Sequence, residues 1–125
     1  MVDTQKHLQD EIDKYKQVQK EYHKALTKRQ QLDGQLNENT VVQQELELLQ
    51  NGNDVYKLIG PVLVKQELIE AKENIQKRIK FITSEMKQTE GLILSLDEKK
   101  EVHRENLEKL QLSFHQAQVK TKTKA

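Results

Sequence analysis

Four histidines, His7, His23, His103 and His115, are the side chains of this sequence best suited to hold a metal or move a proton near neutral pH. A helical metal site needs two such ligands three or four residues apart, on one face. None of the four has another histidine at that spacing. Carboxylates are abundant, as in Glu45 with Glu47 and Glu85 with Glu90, and a solvated helix face accounts for them. The absence of cysteine removes disulfides, thiolate metal sites and thiol nucleophiles. There is no glycine-rich phosphate loop and no Gly-x-Ser-x-Gly elbow. The expectation is a protein that is not an enzyme, with no catalytic residue, no metal site and no cofactor. Its work must then be done by non-covalent surfaces and by the elements that display them.

A chain of 125 residues is enough for one domain, and residues 1–125 read as a single one. Charged residues make up 33% and aromatic residues 4%, with mean hydropathy −0.89. That is too little apolar bulk for a globular core. It leaves disorder or a long helix with a narrow apolar stripe. Lys and Arg number 21 against 20 Asp and Glu. Near-zero net charge argues against nucleic-acid binding, which wants a clustered basic face, and against a membrane-surface helix. The lysines of the Lys120–Lys124 stretch read as a solvated tail. The N-terminus has no apolar signal region, and no apolar run approaches the roughly 18 residues of a spanning helix. These features predict a soluble cytoplasmic protein, with room for a nuclear fraction.

A hydrophobic repeat decides for the helix. From Ile75 the seam steps by four and three through Ile79, Ile82, Met86, Thr89, Ile93, Leu96, Lys100, His103, Leu107, Leu110, Phe114 and Ala117. That is a sustained heptad pattern. The N-terminal half carries a partner seam: Leu8, Glu11 with Ile12, Tyr15, Val18, Tyr22, Ala25, Arg29, Leu32, Leu36, Asn39, Gln43 and Leu46. Facing positions in an antiparallel hairpin, such as Leu8 with Leu110 and Leu36 with Ile82, have residue numbers that add to 118. The midpoint, residue 59, adjoins Gly60-Pro61, the site of the only proline. The fold class is mainly α: a long antiparallel two-helix coiled coil joined by one short β-hairpin.

The expected bounds are helix 1 over 4–50, a turn and β-hairpin over 51–66, helix 2 over 67–118, and a flexible tail over 119–125. Each helix would be roughly 65–80 Å long at 1.5 Å per residue. Gly52 can take the left-handed conformation that closes a helix. Val55–Ile59 and Val62–Val64 flank the Gly-Pro turn with β-branched and aromatic residues. Polar residues break the seam at Arg29, Asn39, Lys100 and His103. In this register Arg29 faces Thr89 and His103 faces Tyr15. Long Arg and Lys side chains can leave such a seam with their charged heads in water.

The two ends differ. A lone two-stranded hairpin is marginal in water, and this one has apolar residues on both faces and unpaired edges. Val41, Val42, Leu46, Leu48 and Leu49, with Leu68 and Ile69, crowd its base. Strand addition by partner chains is the expected use of such an end. At the other end, Ile12 beside Leu8 and Leu112 beside Leu110 and Phe114 spill off the seam. Helix ends open readily, so this end can expose its seam to a non-native chain.

The connector Val55-Tyr56-Lys57-Leu58-Ile59-Gly60-Pro61-Val62-Leu63-Val64-Lys65-Gln66-Glu67-Leu68 resembles that of the β-type subunits of prefoldin. Gln35-Leu36-Asn37-Glu38-Asn39 and Glu45-Leu46-Glu47-Leu48-Leu49 match the same pattern, and the resemblance covers about residues 5–118. It implies an ATP-independent co-chaperone: a heterohexamer of two α-type and four β-type subunits whose hairpins form an intersubunit β-barrel. Subunit assembly would fall on Val55, Tyr56, Leu58, Ile59, Val62, Leu63 and Val64. The arm tips, near Leu8, Ile12, Leu107, Leu110 and Phe114, would hold unfolded actin and tubulin. Transfer to the cytosolic group II chaperonin would follow. The alternative is a structural or tethering antiparallel coiled coil, which would dimerise through its arms and has no use for an apolar hairpin.

Overall fold

The computed structural model describes residues 2–50 and 52–124, with side chains for residues 3–50 and 52–120. The expected turn residue Asn51, the tail residue Ala125 and the tail side chains of residues 121–124 lie outside it. Four elements follow in order: α1 (Val2–Leu48), β1 (Val55–Ile59), β2 (Val62–Gln66) and α2 (Leu68–Lys124). This is two long helices joined by a two-stranded antiparallel hairpin. Residues 1–27 and 90–125 form one unit, and residues 28–89 form another.

Burial follows the heptad. Every seam position read from the sequence is buried or half-buried, from Leu8 to Leu46 on α1 and from Ile75 to Ala117 on α2. In the first unit, Val18, Ala25 and Leu96 form a core against which Tyr22 and Ile93 pack. Tyr22 with Leu96 and Ala25 with Ile93 are facing pairs of the 118 register. In the second unit, Leu46, Ala71 and Ile75 form a core covered by Leu49, Val55, Leu68 and Ile79. Among the described residues no large side chain is wholly enclosed, as a two-helix seam dictates.

α1 ends at Leu48, earlier than residue 50, as the Leu49 N–H donates to the Leu46 carbonyl and tightens the last turn. Gly52 does take a left-handed φ of 102°, but it lies past the helix end. It serves a turn in which the Asn53 N–H donates to the Gln50 carbonyl (3.1 Å) and Asn53 Oδ1 accepts from the Gln50 N–H (2.7 Å). α2 opens where the Ala71 N–H donates to the Glu67 carbonyl, with Glu70 in the first turn favouring the positive helix N-terminus. α2 runs on through residues 119–124. Nothing in Val119-Lys120-Thr121-Lys122-Thr123-Lys124 is a helix breaker, so propagation continues there.

The hairpin pairs Val55 with Gln66 through Ile59 with Val62. β2 therefore extends two residues beyond Val64, because five residues of β1 need five partners. The paired numbers add to 121 rather than 118. The α1 side spends residues 49–54 on its connection, while the α2 side spends only Glu67. Gly60 has φ 58°, and Pro61 cannot take a positive φ. Of the two-residue turns that suit a hairpin, this leaves type II′, with glycine at its first central position.

Candidate functional site

Cross-strand partners share a face, so the register sorts the hairpin's side chains. One face carries Val55, Lys57 and Ile59 opposite Gln66, Val64 and Val62. The other carries Tyr56 and Leu58 opposite Lys65 and Leu63. Of the seven residues expected to mediate assembly, six are exposed: Tyr56, Leu58, Ile59, Val62, Leu63 and Val64, between 44% and 67%. Val55 is half-buried on the Leu46, Ala71 and Ile75 core, so it anchors the hairpin to its own helices. Leu48 and Ile69, at the bases of the two strands, are 82% and 69% exposed. A sheet of two strands has an open edge on each side. The residues flanking a two-residue turn exchange both hydrogen bonds, and the pattern then alternates. The backbones of Tyr56 and Leu58 on one edge, and of Leu63 and Lys65 on the other, therefore point outward. The Lys65 ammonium pairs with Asp54 at 3.5 Å.

At the other end of the helices, in the unit of residues 1–27 and 90–125, the expected client-binding residues Leu8, Ile12, Leu107, Leu110 and Phe114 are all half-buried. Leu8, Leu107, Leu110 and Phe114 are seam residues, and Ile12 adjoins the seam. Exposed apolar side chains of α2 in this unit include Leu92 and Leu94, at 50% and 67%, and, nearer the helix end, Val102, Leu112 and Val119, at 53%, 59% and 47%. Sequence reasoning noted Leu112 but not Val119, whose spacing of seven from Leu112 puts both on one helix face.

Polar groups clasp the seam of this unit. Glu11 Oε1 is held by His103 Nδ1 and, at 3.2 Å, by Asn106 Nδ2. The hydrogen bond from His103 does most to hold the Glu11 carboxyl below its ordinary range; burial opposes the shift, and Asn106 adds to it. A shallow groove lined by His7, Asp10, Lys14, Lys109 and Leu110 lies beside this clasp. Lys100 is half-buried. Its Nζ lies 4.6 Å from the Tyr22 ring centroid, a cation–π contact within the seam. No group of three or more metal-binding side chains occurs among the described residues, and no helix among them is long and apolar enough to cross a membrane.

The family model described as prefoldin subunit matches residues 9–114, which includes both strands and most of both helices. The chain belongs to the prefoldin family. Prefoldin subunit 6 of Bos taurus and of Homo sapiens are each 48% identical to it over 114 residues, covering 91% of this chain and 88% of each relative. Prefoldin subunit 6 of Arabidopsis thaliana is 41% identical over 109 residues, covering 87% and 84%. The connector 55–68 that resembles prefoldin thus belongs to a chain whose similarity to subunit 6 runs through both helices. The crystal structure of the prefoldin β subunit from Thermococcus strain KS-1 superposes with TM-score 0.74 over 82% of this chain and 90% of that one. At 19% identity it speaks for the fold alone. Prefoldin subunits are co-chaperones rather than enzymes, and membership supports association of this chain with other prefoldin subunits.

Proposed function

We propose that this chain is a β-type subunit of a heterohexameric prefoldin that captures unfolded proteins, actin and tubulin among them, without nucleotide. The captured chain passes to the cytosolic group II chaperonin. Work of this kind places the complex in the cytoplasm, with room for a nuclear fraction. The observation that carries the assembly half is the exposed, two-faced apolar hairpin with open edges. A monomer has no use for Leu58 and Leu63 at more than 60% exposure. Open edges offer backbone hydrogen bonds to neighbouring strands, and alternate side chains fill the resulting interior. Hairpins from several subunits would close a β-barrel that no single hairpin can form.

The holding half rests on the opposite helix ends. There the apolar seam is thin, half-exposed and interrupted by Glu11, His103 and Asn106. Such a seam opens at low cost and offers Leu8, Ile12, Leu107, Leu110 and Phe114 to an unfolded chain. Native mass spectrometry of the tagged chain, purified gently from its own cytosol, tests the assembly. A complex of six different small subunits with one copy of this chain is the expected result. A homodimer without sister subunits would leave a tethering coiled coil instead. For the holding step, removal of residues 1–10 and 110–125 should spare the hexamer and weaken suppression of actin aggregation. Full suppression by the truncated complex would rule out the tips.

A further inference from the structure

Beside the hairpin, in the unit of residues 28–89, a groove has a buried apolar floor of Leu46, Ala71 and Ile75. Lys57 of β1 and Arg78 of α2 line it too, and the remaining polar lining, Tyr56, Gln66 and Asn74, is uncharged. No carboxylate lines it. Arg78 also lines an adjoining groove with Lys77 and Phe81, which again contains no carboxylate. Phe81 is 65% exposed. The two grooves therefore make one apolar track edged by three cations.

Lys57 is out of place by the logic of its strand. Its face otherwise carries Val55, Ile59, Val62 and Val64, with Gln66 at the end. No ion pair of Lys57 or Arg78 is found among the described residues, whereas two other cations of this unit have one. Lys65 on the opposite sheet face meets Asp54, and Lys28 meets Glu85 at 3.3 Å. Glu85 lies seven residues beyond Arg78 on the same helix flank and is thus already neutralised. Glu70, two turns before Arg78, lines neither groove.

We infer that this track docks an extended segment of another prefoldin subunit, one that carries a carboxylate among apolar side chains, with Arg78 and Lys57 receiving the carboxylate. Arginine supplies the two-pronged geometry that a carboxylate fits, and lysine adds a second charge. The apolar floor and Phe81 cover the flanking side chains. Charge complementarity also selects the partner. A second copy of this chain meeting the track through the same face would set Lys57 and Arg78 against like charges, which rejects it. The inference rests on the proposal that the hairpin end is the assembling end, and it adds the chemistry of the neighbour.

The test uses the complex assembled with its sister subunits. A photo-crosslinking side chain at Asn74 should trap one sister subunit at a segment containing Asp or Glu. The Lys57→Glu, Arg78→Glu double variant should keep its helicity, both positions being exposed. In competition with the unaltered chain it should enter the complex at least tenfold less well at low salt. Reversing the trapped carboxylate to Lys should restore entry. Crosslinks only to client, chaperonin or a second copy, or none in the intact complex, overturn the inference. So does equal entry of the charge-reversed chain. Leu58→Asp serves as the separate control. If it assembles normally, the hairpin proposal fails, while the Asn74 crosslink still judges the track.

Discussion

Glu11 of α1 and His103 of α2 share a hydrogen bond, half-buried, in the seam. The carboxylate is 12% exposed and the imidazole 22%. An ionised Glu11 can only accept, so His103 Nδ1 carries the proton in this contact. Asn106 donates to the same oxygen from the next turn of α2.

The first prediction is the pH dependence of that clasp. The folded-state pKa of Glu11 is lowered, with the His103 hydrogen bond the largest cause. A lowered carboxylate pKa gives stability that is complete above the unfolded value near 4.5 and is lost as pH falls through the folded value. Glu11→Gln should therefore cost about 1 kcal/mol at pH 7. It should also flatten the acid limb of the stability curve below pH 4.5. Thermal unfolding followed by circular dichroism from pH 7 to 3 checks both. A variant as acid-sensitive as the unaltered chain would assign the acid limb to other carboxylates.

The second prediction separates two strand residues three positions apart. Leu58 is 67% exposed and touches neither core, so Leu58→Asp should leave the isolated chain's stability within about 0.5 kcal/mol. It should still abolish entry into the hexamer. Val55 packs on Leu46, Ala71 and Ile75, so Val55→Asp buries a charge and should cost about 3 kcal/mol or more. Denaturant unfolding and native mass spectrometry on the same two variants give the pair of readouts.

The fold was legible because its stabilisation is one-dimensional. A two-helix seam buries a single stripe, so period alone names the buried positions, and all of them from Leu8 to Leu46 and Ile75 to Ala117 are buried or half-buried. The turn was legible because Gly60-Pro61 permits few conformations. Partners inside the seam were less legible. The register sets His103 against Tyr15, yet its hydrogen bond goes to Glu11, one turn earlier. The N-terminal lean of helical side chains does not account for this, since in an antiparallel pair it carries Glu11 and His103 apart; the carboxylate draws the ring N–H across a turn, so level along the axis does not name the partner. Lys100 eluded the pattern likewise: its register partner is Val18, but its ammonium rests on Tyr22, one turn on. Charge on the hairpin face, at Lys57, carries no periodic signal. Its meaning appears only when the strand is laid beside Arg78.

The third prediction tests the Lys100 contact. Single changes mix packing with charge, so the measurement is a double-mutant cycle of Tyr22→Leu and Lys100→Met. An ammonium 4.6 Å from a ring centroid in a half-buried seam should give a coupling of about 0.5–1 kcal/mol. Unlike a salt bridge, it should change little between about 0.05 and 0.5 M salt, over which the Debye length falls about threefold. A coupling near zero would mean that Lys100 is held in the seam by its aliphatic stem alone.

The fourth prediction concerns the two helical glycines. Gly34 and Gly91 lie inside α1 and α2, neither has a positive φ, and a Cβ built at either meets nothing within 4 Å. No close approach and no special backbone conformation calls for glycine at these positions. Gly34→Ala and Gly91→Ala should each stabilise the chain by about 1 kcal/mol, because alanine loses less backbone entropy in a helix. The gains should add, since the two positions lie in different units. Denaturant unfolding reads the gain, and suppression of actin aggregation by the assembled complex reads the consequence. Greater stability with unchanged holding identifies the glycines as tolerated defects. Greater stability with weakened holding assigns them a mechanical part: local loosening that lets a helix yield around a client.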